Sequence, residues 1–231
     1  MEIIKVINPV GDPLIVDYAI YPSVLDAFVR YKKADDDETF DSLLNRINKV
    51  KTEQTDDQLR GIQFEKEINA ILKGGDVSHI KLTEAHKEVT SRLVNCKGLQ
   101  EYIEVVIKTR VGLIKLYGIV DYMFQEMAVD LKATGNYKLN KYKESTQHPM
   151  YSLICKLNGK PLKQFKYLVT DFERVFQETY IPSDNMFQKL IYIIYEFIDF
   201  IEYYKANITD EKIFGKETGS LKPSAPLSEG Q

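Results

Sequence analysis

The first hundred residues carry apolar side chains mainly at helical spacing. Four helices are predicted there because apolar residues recur every three or four positions. Two short strands, over 3–7 and 14–19, precede them, and the acidic run 35–38 is predicted as a solvated loop. The predicted helices are one after Pro22, one over 40–50, one from Asp56 to Gly74 and one from Thr83 towards Val94.

From residue 102 onwards the apolar positions alternate, which is typical of strands. Strands are predicted over 102–109, 113–124 and 127–132, then a helix from Ser145 or Thr146 to Leu157, strands over 165–170 and 175–180, and a helix over 185–205. This order predicts a mixed α/β (α+β) fold, with a central mixed sheet flanked by helices. One domain is expected over 1–210, and 211–231 is expected to be a disordered tail.

Composition and net charge exclude several classes of protein. The 231 residues are 44% hydrophobic, enough for one sizeable core, and the net charge of −3 excludes a uniformly basic nucleic-acid coat. Two cysteines cannot form a four-cysteine zinc or iron–sulfur site. The N-terminus does not resemble a signal peptide, and the most apolar stretch is too charged to span a bilayer. A cytoplasmic protein with no membrane partner is expected.

A predicted hairpin brings two acids and a lysine together. A turn centred on Gln125-Glu126 places Asp121 opposite Asp130, because both lie equally far from the turn. Strand alternation then puts Lys132 on the same face as Asp130. The turn lacks the usual Gly or Asn, so a bulge or a longer turn with a shifted register remains open. The residues predicted to point to the opposite face are Val120, Tyr122, Val129 and Leu131.

Two opposed carboxylates repel each other, and a divalent cation would neutralise them. Their hard oxygen ligands suit Mg²⁺ or Mn²⁺. The ammonium group of Lys132 could orient or deprotonate a water and balance the charge of a phosphate, as phosphodiester hydrolysis requires. From spacing alone, a solvated hairpin without chemistry remains the alternative.

Several short motifs extend the pattern. GIVD at 118–121, VDLK at 129–132 and STQHPMY at 145–151 together resemble the PD-(D/E)XK nuclease superfamily, in the branch of the RecB nuclease domain and phage lambda-type exonucleases. GIQFE at 61–65 is similar to the G-x-x-x-(E/H) helix of that branch. YPSVLDAF at 21–28 resembles its S-x-S-x-L-x-x-F opening less closely.

The resemblance implies a restriction-endonuclease-like core, with the motifs spanning about 57–170, and a set of roles. Asp121 and Asp130 would hold Mg²⁺, or Mn²⁺ in its place, and the backbone carbonyl of Leu131 could be a further ligand. Glu65 would be another ligand or would hold a water at the metal. Lys132 would position and activate the attacking water. No iron–sulfur cluster is expected, because the cysteines that bind it in some RecB-like proteins are missing.

The resemblance also implies contacts to DNA. Gln147 and Tyr151 lie at i and i+4 on one helical face and would contact the DNA backbone or brace the site. From Lys132 to Thr170 there are eight lysines and one acid, Glu144, so a basic patch is expected beside the site. The further DNA-binding residues predicted are Lys138, Lys141, Lys143 and His148, although a lysine-rich solvated face and a first-turn helix histidine remain the alternatives.

The implied activity is that of a Mg²⁺-dependent deoxyribonuclease, favoured as an exonuclease, acting in recombination, repair or phage DNA processing. The alternatives are a site-specific or structure-specific endonuclease and a catalytically inactive nucleic-acid-binding protein with the same fold. DNA is the expected partner. A homo-oligomer, formed through the apolar helix near residues 184–204, and a recombination partner protein both remain open.

Overall fold

A single mixed sheet organises the part of the chain that the computed structural model describes, residues 4–6 and 14–216. The sheet contains seven strands, six of which run in the order β1-β3-β4-β5-β6-β7, while the short β2 pairs with β4. The strands are β1 (Ile4–Lys5), β2 (Tyr18–Ile20), β3 (Gly98–Thr109), β4 (Gly112–Met123), β5 (Met127–Ala133), β6 (Gln164–Thr170) and β7 (Val175–Tyr180).

Helices cover both faces of this sheet. They are α1 (Pro22–Ala34), α2 (Asp37–Ile47), α3 (Asp56–Leu72), α4 (Glu84–Leu93), α5 (Gln147–Leu157) and α6 (Asp184–Tyr203), followed by 3₁₀ turns at Lys205–Asn207 and Glu211–Phe214. One buried cluster joins α1, α2, α5 and α6 to the sheet, and a second joins α3 and α4 to β5 and β6. The predicted mixed α/β architecture, a central mixed sheet flanked by helices, is confirmed.

Strand β4 has two different partners along one edge. Its first half pairs in parallel with β2 at Ile114–Leu116, and its end pairs antiparallel with β5 at Tyr122 and Met123. In the described part of the chain, residues 117–121 of β4 therefore have no strand partner on that edge. We call this stretch the edge gap. It matters because Asp121 and Gly118 both lie in it.

Two predicted boundaries are wrong, for local reasons. Helix α2 starts within the acidic run predicted as a loop, because the Asp36 carboxylate accepts a hydrogen bond from the Thr39 amide (2.8 Å) and caps the helix. The expected tail starts too early at 211, since Ile213 is buried and the Phe214 ring lies 6.5 Å from that of Tyr18. The rest of the expected tail, 217–231, lies outside the described residues, and so do parts of the predicted strand 3–7.

No helix in the described ranges combines the length and apolarity needed to cross a membrane.

Candidate active site

The hairpin β4–β5 has the predicted register but ends early. Tyr122 pairs with Val129 and Met123 with Ala128, on either side of the turn at Gln125-Glu126. The ladder stops one pair before Asp121 and Asp130. A continued ladder would bond the Leu131 amide to the Val120 carbonyl. Instead, that amide donates to Asp121 Oδ2 at 3.0 Å, so a side chain takes the place of a strand where the edge gap opens.

Side-chain directions in this hairpin follow the prediction with one exception. Tyr122, Val129 and Leu131 pack together in the cluster under α3 and α4. Val120 belongs to the other cluster, so its predicted place beside Tyr122 is wrong. The strands separate between these two residues, which allows β4 to contribute to both clusters.

Asp130 is the most buried acid of the site, with 2% of its surface exposed. Its Oδ1 accepts a hydrogen bond from the Gln147 amide, and its Oδ2 lies 2.7 Å from Lys132 Nζ. Oδ2 has no hydrogen bond of ordinary geometry. This buried carboxylate oxygen can therefore accept a second positively charged partner besides Lys132.

Glu65 reaches the site from α3, on the other side of the hairpin. A Cβ on Gly61 would lie 3.1 Å from the Ala133 carbonyl oxygen, so the glycine lets α3 pack closely on the end of β5. One turn later, Glu65 Oε1 accepts a hydrogen bond from Gln100 Nε2 at 2.8 Å. The same Gln100 nitrogen lies 3.3 Å from Asp121 Oδ1. Gln100 thus joins Glu65 to Asp121.

The charges of the site are unbalanced. Burial raises the pKa of Asp121 well above its ordinary value, and the neighbouring Asp130 raises it further. Burial and the charge of Asp130 also raise the pKa of Glu65. Burial alone would lower the pKa of Lys132, but the carboxylates of Asp130 and Asp121 outweigh it and raise that pKa. Because three acids share one ammonium group, an added cation would stabilise their ionised forms.

The residues that could hold such a cation are oxygen donors. Asp121, Asp130 and the Leu131 carbonyl belong to the two separating strands, and Glu65 faces them from α3. Within 4–6 and 14–216, no three acidic, histidine or cysteine side chains are already arranged as ligands of one ion. Gln100, Gln147 and Lys132 engage the carboxylates instead. The donor set suits a hard divalent cation.

A residue of α1, Asp26, fixes the start of helix α5. Asp26 accepts hydrogen bonds from the Thr146 amide (2.6 Å), the Thr146 hydroxyl (2.8 Å) and the Ser145 hydroxyl (3.0 Å). These bonds set the start of α5 and so the position of Gln147 against Asp130. The sequence suggested no role for Asp26, although it lies in the quoted stretch 21–28.

Tyr151 braces the site from inside the protein. Its side chain is buried, and its hydroxyl donates to the Ile119 carbonyl oxygen at 2.8 Å. The ring lies where a side chain on Gly118 would be. Of the two roles expected for Tyr151, the structure therefore supports bracing and leaves no exposed ring to contact DNA.

The predicted contact of His148 with phosphates is wrong. Its imidazole is buried, stacks on the Tyr180 ring with centroids 4.1 Å apart, and has Nδ1 3.3 Å from the Tyr167 hydroxyl. Burial lowers its pKa to about 4, so the ring is neutral at physiological pH. A contact with DNA needs an exposed side chain, whereas every residue of α5 from His148 to Cys155 is buried.

The segment 134–146, which we call the basic loop, joins β5 to α5 beside the site. The carboxylate of the buried Glu178 anchors it by accepting bonds from the Tyr137 hydroxyl (2.9 Å) and the Lys141 amide (3.0 Å). Lys138, Lys141 and Lys143 are exposed, and none forms an ion pair with the described residues. By contrast, the lysines of the following segment at 156 and 163 pair with Asp184 and Glu126. Lys141 Nζ donates a hydrogen bond to the Asn136 carbonyl oxygen at 3.0 Å, but its charge, like those of Lys138 and Lys143, is balanced by no described carboxylate.

A cleft of about 460 Å³ opens over the edge gap. Of the site residues, Lys132, Gln147 and Tyr151 line it, together with three further tyrosines, Tyr21, Tyr102 and Tyr117. Its size is within the range of about 300–1,000 Å³ of clefts that bind small molecules or cofactors. Its other lining residues include Asp26, Lys49, Gly118 and Ile119.

Comparison with known proteins gives matches in structure alone. No protein-family model matches the chain, and no curated protein matches its sequence. A provisionally assigned exonuclease from Eubacterium rectale matches with a TM-score of 0.53 and 15% identity, over 84% of each chain. The alkaline exonuclease LHK-Exo from Laribacter hongkongensis matches with a TM-score of 0.41 and 14% identity, over 81% of this chain and 92% of that one.

The likeness to the Eubacterium rectale protein shows a shared fold. The fold thus agrees with the architecture expected from the motifs.

Proposed function

We propose that this protein is a divalent-metal-dependent deoxyribonuclease of the PD-(D/E)XK type, and that it digests DNA from an end. The observation that carries the proposal is the meeting of Asp121, Asp130 and Lys132 where β4 and β5 separate, with Gln147 bonded to Asp130. These residues come from three of the motifs that resemble the superfamily. Lys132 and Gln147, which contact Asp130, also line the cleft.

Mg²⁺, or Mn²⁺ in its place, would be held by Asp121, Asp130 and the Leu131 carbonyl, with Glu65 as a further ligand, and would stabilise negative charge developing on the phosphate. Lys132 would donate hydrogen bonds to a water and to a phosphate oxygen. In hydrolysis, the water oxygen forms a bond to phosphorus while the ester bond to the leaving oxygen breaks. Gln147 holds the Asp130 carboxylate in orientation through this change.

The basic loop would bind the DNA backbone. Lys138, Lys141 and Lys143 carry charge that no described carboxylate neutralises, and they lie on the segment between Lys132 and Gln147. Phosphate contacts of this kind supply sequence-independent affinity, as a nuclease acting from DNA ends requires.

The test is digestion of linear and covalently closed circular DNA with Mg²⁺, Mn²⁺ or a chelator. We expect linear DNA to be degraded with metal alone, and Asp130→Asn and Lys132→Met each to lower the rate roughly 100-fold or more. Asp199→Asn and Lys189→Met are matched controls, because both residues are exposed on α6. Activity in chelator, or unchanged rates in both site variants, would refute the proposal, and cleavage of the closed circle would favour an endonuclease.

A further inference from the structure

Three tyrosines outside the proposed catalytic set form one aromatic surface in the cleft. Tyr117 lies between the other two, with its ring centroid 5.6 Å from that of Tyr21 and 6.3 Å from that of Tyr102. We call these three residues the tyrosine platform. Lys132 and Gln147 line the same cleft, so the platform is continuous with the site proposed for hydrolysis.

Large apolar side chains are exposed to solvent at the platform. Tyr102 is 53% exposed, and Ile119, its partner across the β3–β4 ladder, is 49% exposed. Neighbouring apolar side chains exposed in a cleft mark a binding surface more often than a solvated face. Because Lys132 lines the same cleft, a phosphate joined to a base on the platform would lie near the site proposed for hydrolysis.

Hydrogen bonds fix the orientation of two of the rings. The Tyr102 hydroxyl donates to Glu104 Oε2 at 2.5 Å, and the Tyr21 hydroxyl donates to the Arg46 carbonyl oxygen at 3.2 Å. Glu104 is itself paired with Lys115 at 2.6 Å, so the platform edge carries no unbalanced charge. With these hydroxyls already engaged, Tyr102 and Tyr21 are left to offer ring faces rather than donors, which favours stacking over base-specific hydrogen bonding.

We propose that the tyrosine platform is a stacking subsite for unpaired nucleobases of the DNA strand whose phosphate lies at Lys132. The inference rests on the proposed nuclease function and deepens it by naming the substrate class as single-stranded or unpaired DNA ends. Inside a duplex both faces of a base are covered by its neighbours. Unpaired bases can offer a face to the platform without a cost of unstacking a pair.

The experiment measures binding without turnover. A short fluorescent single-stranded oligothymidine and an abasic oligonucleotide of equal length are titrated with the full chain in chelator, with anisotropy as the readout. Wild type should bind the oligothymidine more tightly than the abasic strand, which has the same phosphates. Tyr102→Ala and Tyr117→Ala should weaken oligothymidine binding roughly 5- to 100-fold and leave abasic binding unchanged.

Two control variants separate stacking from other effects. Tyr117→Phe retains the ring and should bind as wild type does, and Tyr203→Ala, which removes a tyrosine 81% exposed on α6, should do the same. Circular dichroism checks folding, and Tyr102→Ala carries the test should Tyr117→Ala not fold. The proposal is overturned by equal binding of the two oligonucleotides to wild type, or by alanine variants that keep the wild-type difference.

Failure of this inference and failure of the proposed function have different signatures. Metal-dependent digestion that requires Asp130, combined with base-independent binding, would leave the nuclease standing and remove the platform. Base-dependent binding that the alanine variants abolish, combined with no digestion of any DNA, would support the platform and refute the nuclease.

Discussion

The ring of Tyr151 occupies the space that a side chain at Gly118 would need. A Cβ on Gly118 would lie 2.5 Å from Tyr151 Cε1 and 2.8 Å from its hydroxyl oxygen, well inside normal contact distance. The glycine in the edge gap therefore allows α5 to approach β4. That approach in turn sets the place of Gln147, one helical turn before Tyr151.

Gly118→Ala is expected to push α5 away from β4. The overpacking should cost about 1–3 kcal/mol of unfolding free energy, measured by urea denaturation. The nuclease rate should fall even under conditions where the variant remains folded, because the displacement of α5 disturbs the contact of Gln147 with Asp130. Gly135→Ala is the matched control, since no atom lies within 4 Å of its added Cβ. Equal stability and activity of the two variants would contradict this account.

Gln100 is expected to orient two of the candidate metal ligands. Gln100→Ala removes its contacts to Glu65 (2.8 Å) and Asp121 (3.3 Å). Because loss of such supporting bonds typically costs 10–100-fold in metal affinity or activity, we expect the Mg²⁺ concentration for half-maximal digestion to rise by about that factor. The measurement is a metal titration of the initial rate. Gln177→Ala, at an exposed position of β7, should leave that concentration unchanged.

Gln100 also shows where sequence reasoning stopped. The turn at Arg110-Val111 places Gln100 opposite Asp121 by the same argument that placed Asp130. The alternation predicted β3 only from residue 102, whereas the strand begins at Gly98. Gln100 has a φ of +51°, which is not a strand conformation. The regular alternation of β3 therefore holds only after this residue, and residues 98–101 were not predicted as strand.

Local patterns predicted the hairpin, and long-range contacts could not be predicted from them. The observed register of β4 and β5 is the one that a two-residue turn at Gln125-Glu126 gives, although the absence of Gly or Asn there left a shifted register open from the sequence. Asp26 bonds to Thr146, 120 residues away, and no periodicity links the two. His148 was misplaced for a related reason, since a polar residue in a helix is exposed by default and here both the sheet and α6 cover it.

The exposed lysines of the basic loop are expected to set the salt dependence of DNA binding. A variant with Lys138, Lys141 and Lys143 all changed to Ala should bind single-stranded DNA more weakly. The slope of log K against log salt should become shallower by about 2, at roughly 0.7 per lost phosphate contact. Anisotropy titrations at several salt concentrations give the slope.

The control for the loop variant changes two ion-paired lysines. Lys156 and Lys163 lie 2.8 Å and 2.6 Å from the carboxylates of Asp184 and Glu126, so their charges are already balanced. Replacing both by Ala should change the slope much less than replacing the loop lysines. A comparable change in the two variants would show that the basic loop is not the DNA contact.

His148 is expected to make stability depend on pH. Burial lowers its pKa to about 4 in the folded protein, whereas an unfolded histidine has a pKa of about 6.5. As pH falls below 6.5 the unfolded chain binds the proton first, which favours unfolding. The contribution of the neutral ring is therefore complete above pH 6.5 and is lost progressively as pH falls towards 4, with a total near 3 kcal/mol.

The rings in contact with His148 do not titrate in this window, because Phe165 has no proton to lose and burial raises the pKa of Tyr167 and Tyr180. Other groups, carboxylates above all, also titrate between pH 7 and 4, so the measurement is a comparison with His148→Phe, which keeps an aromatic ring and removes the titration. Urea unfolding at pH 7 and at pH 4.5 should show wild type losing more stability than the variant, by about 2–3 kcal/mol. Parallel losses in the two proteins would mean that the imidazole is solvated or protonated in the native state, contrary to its burial.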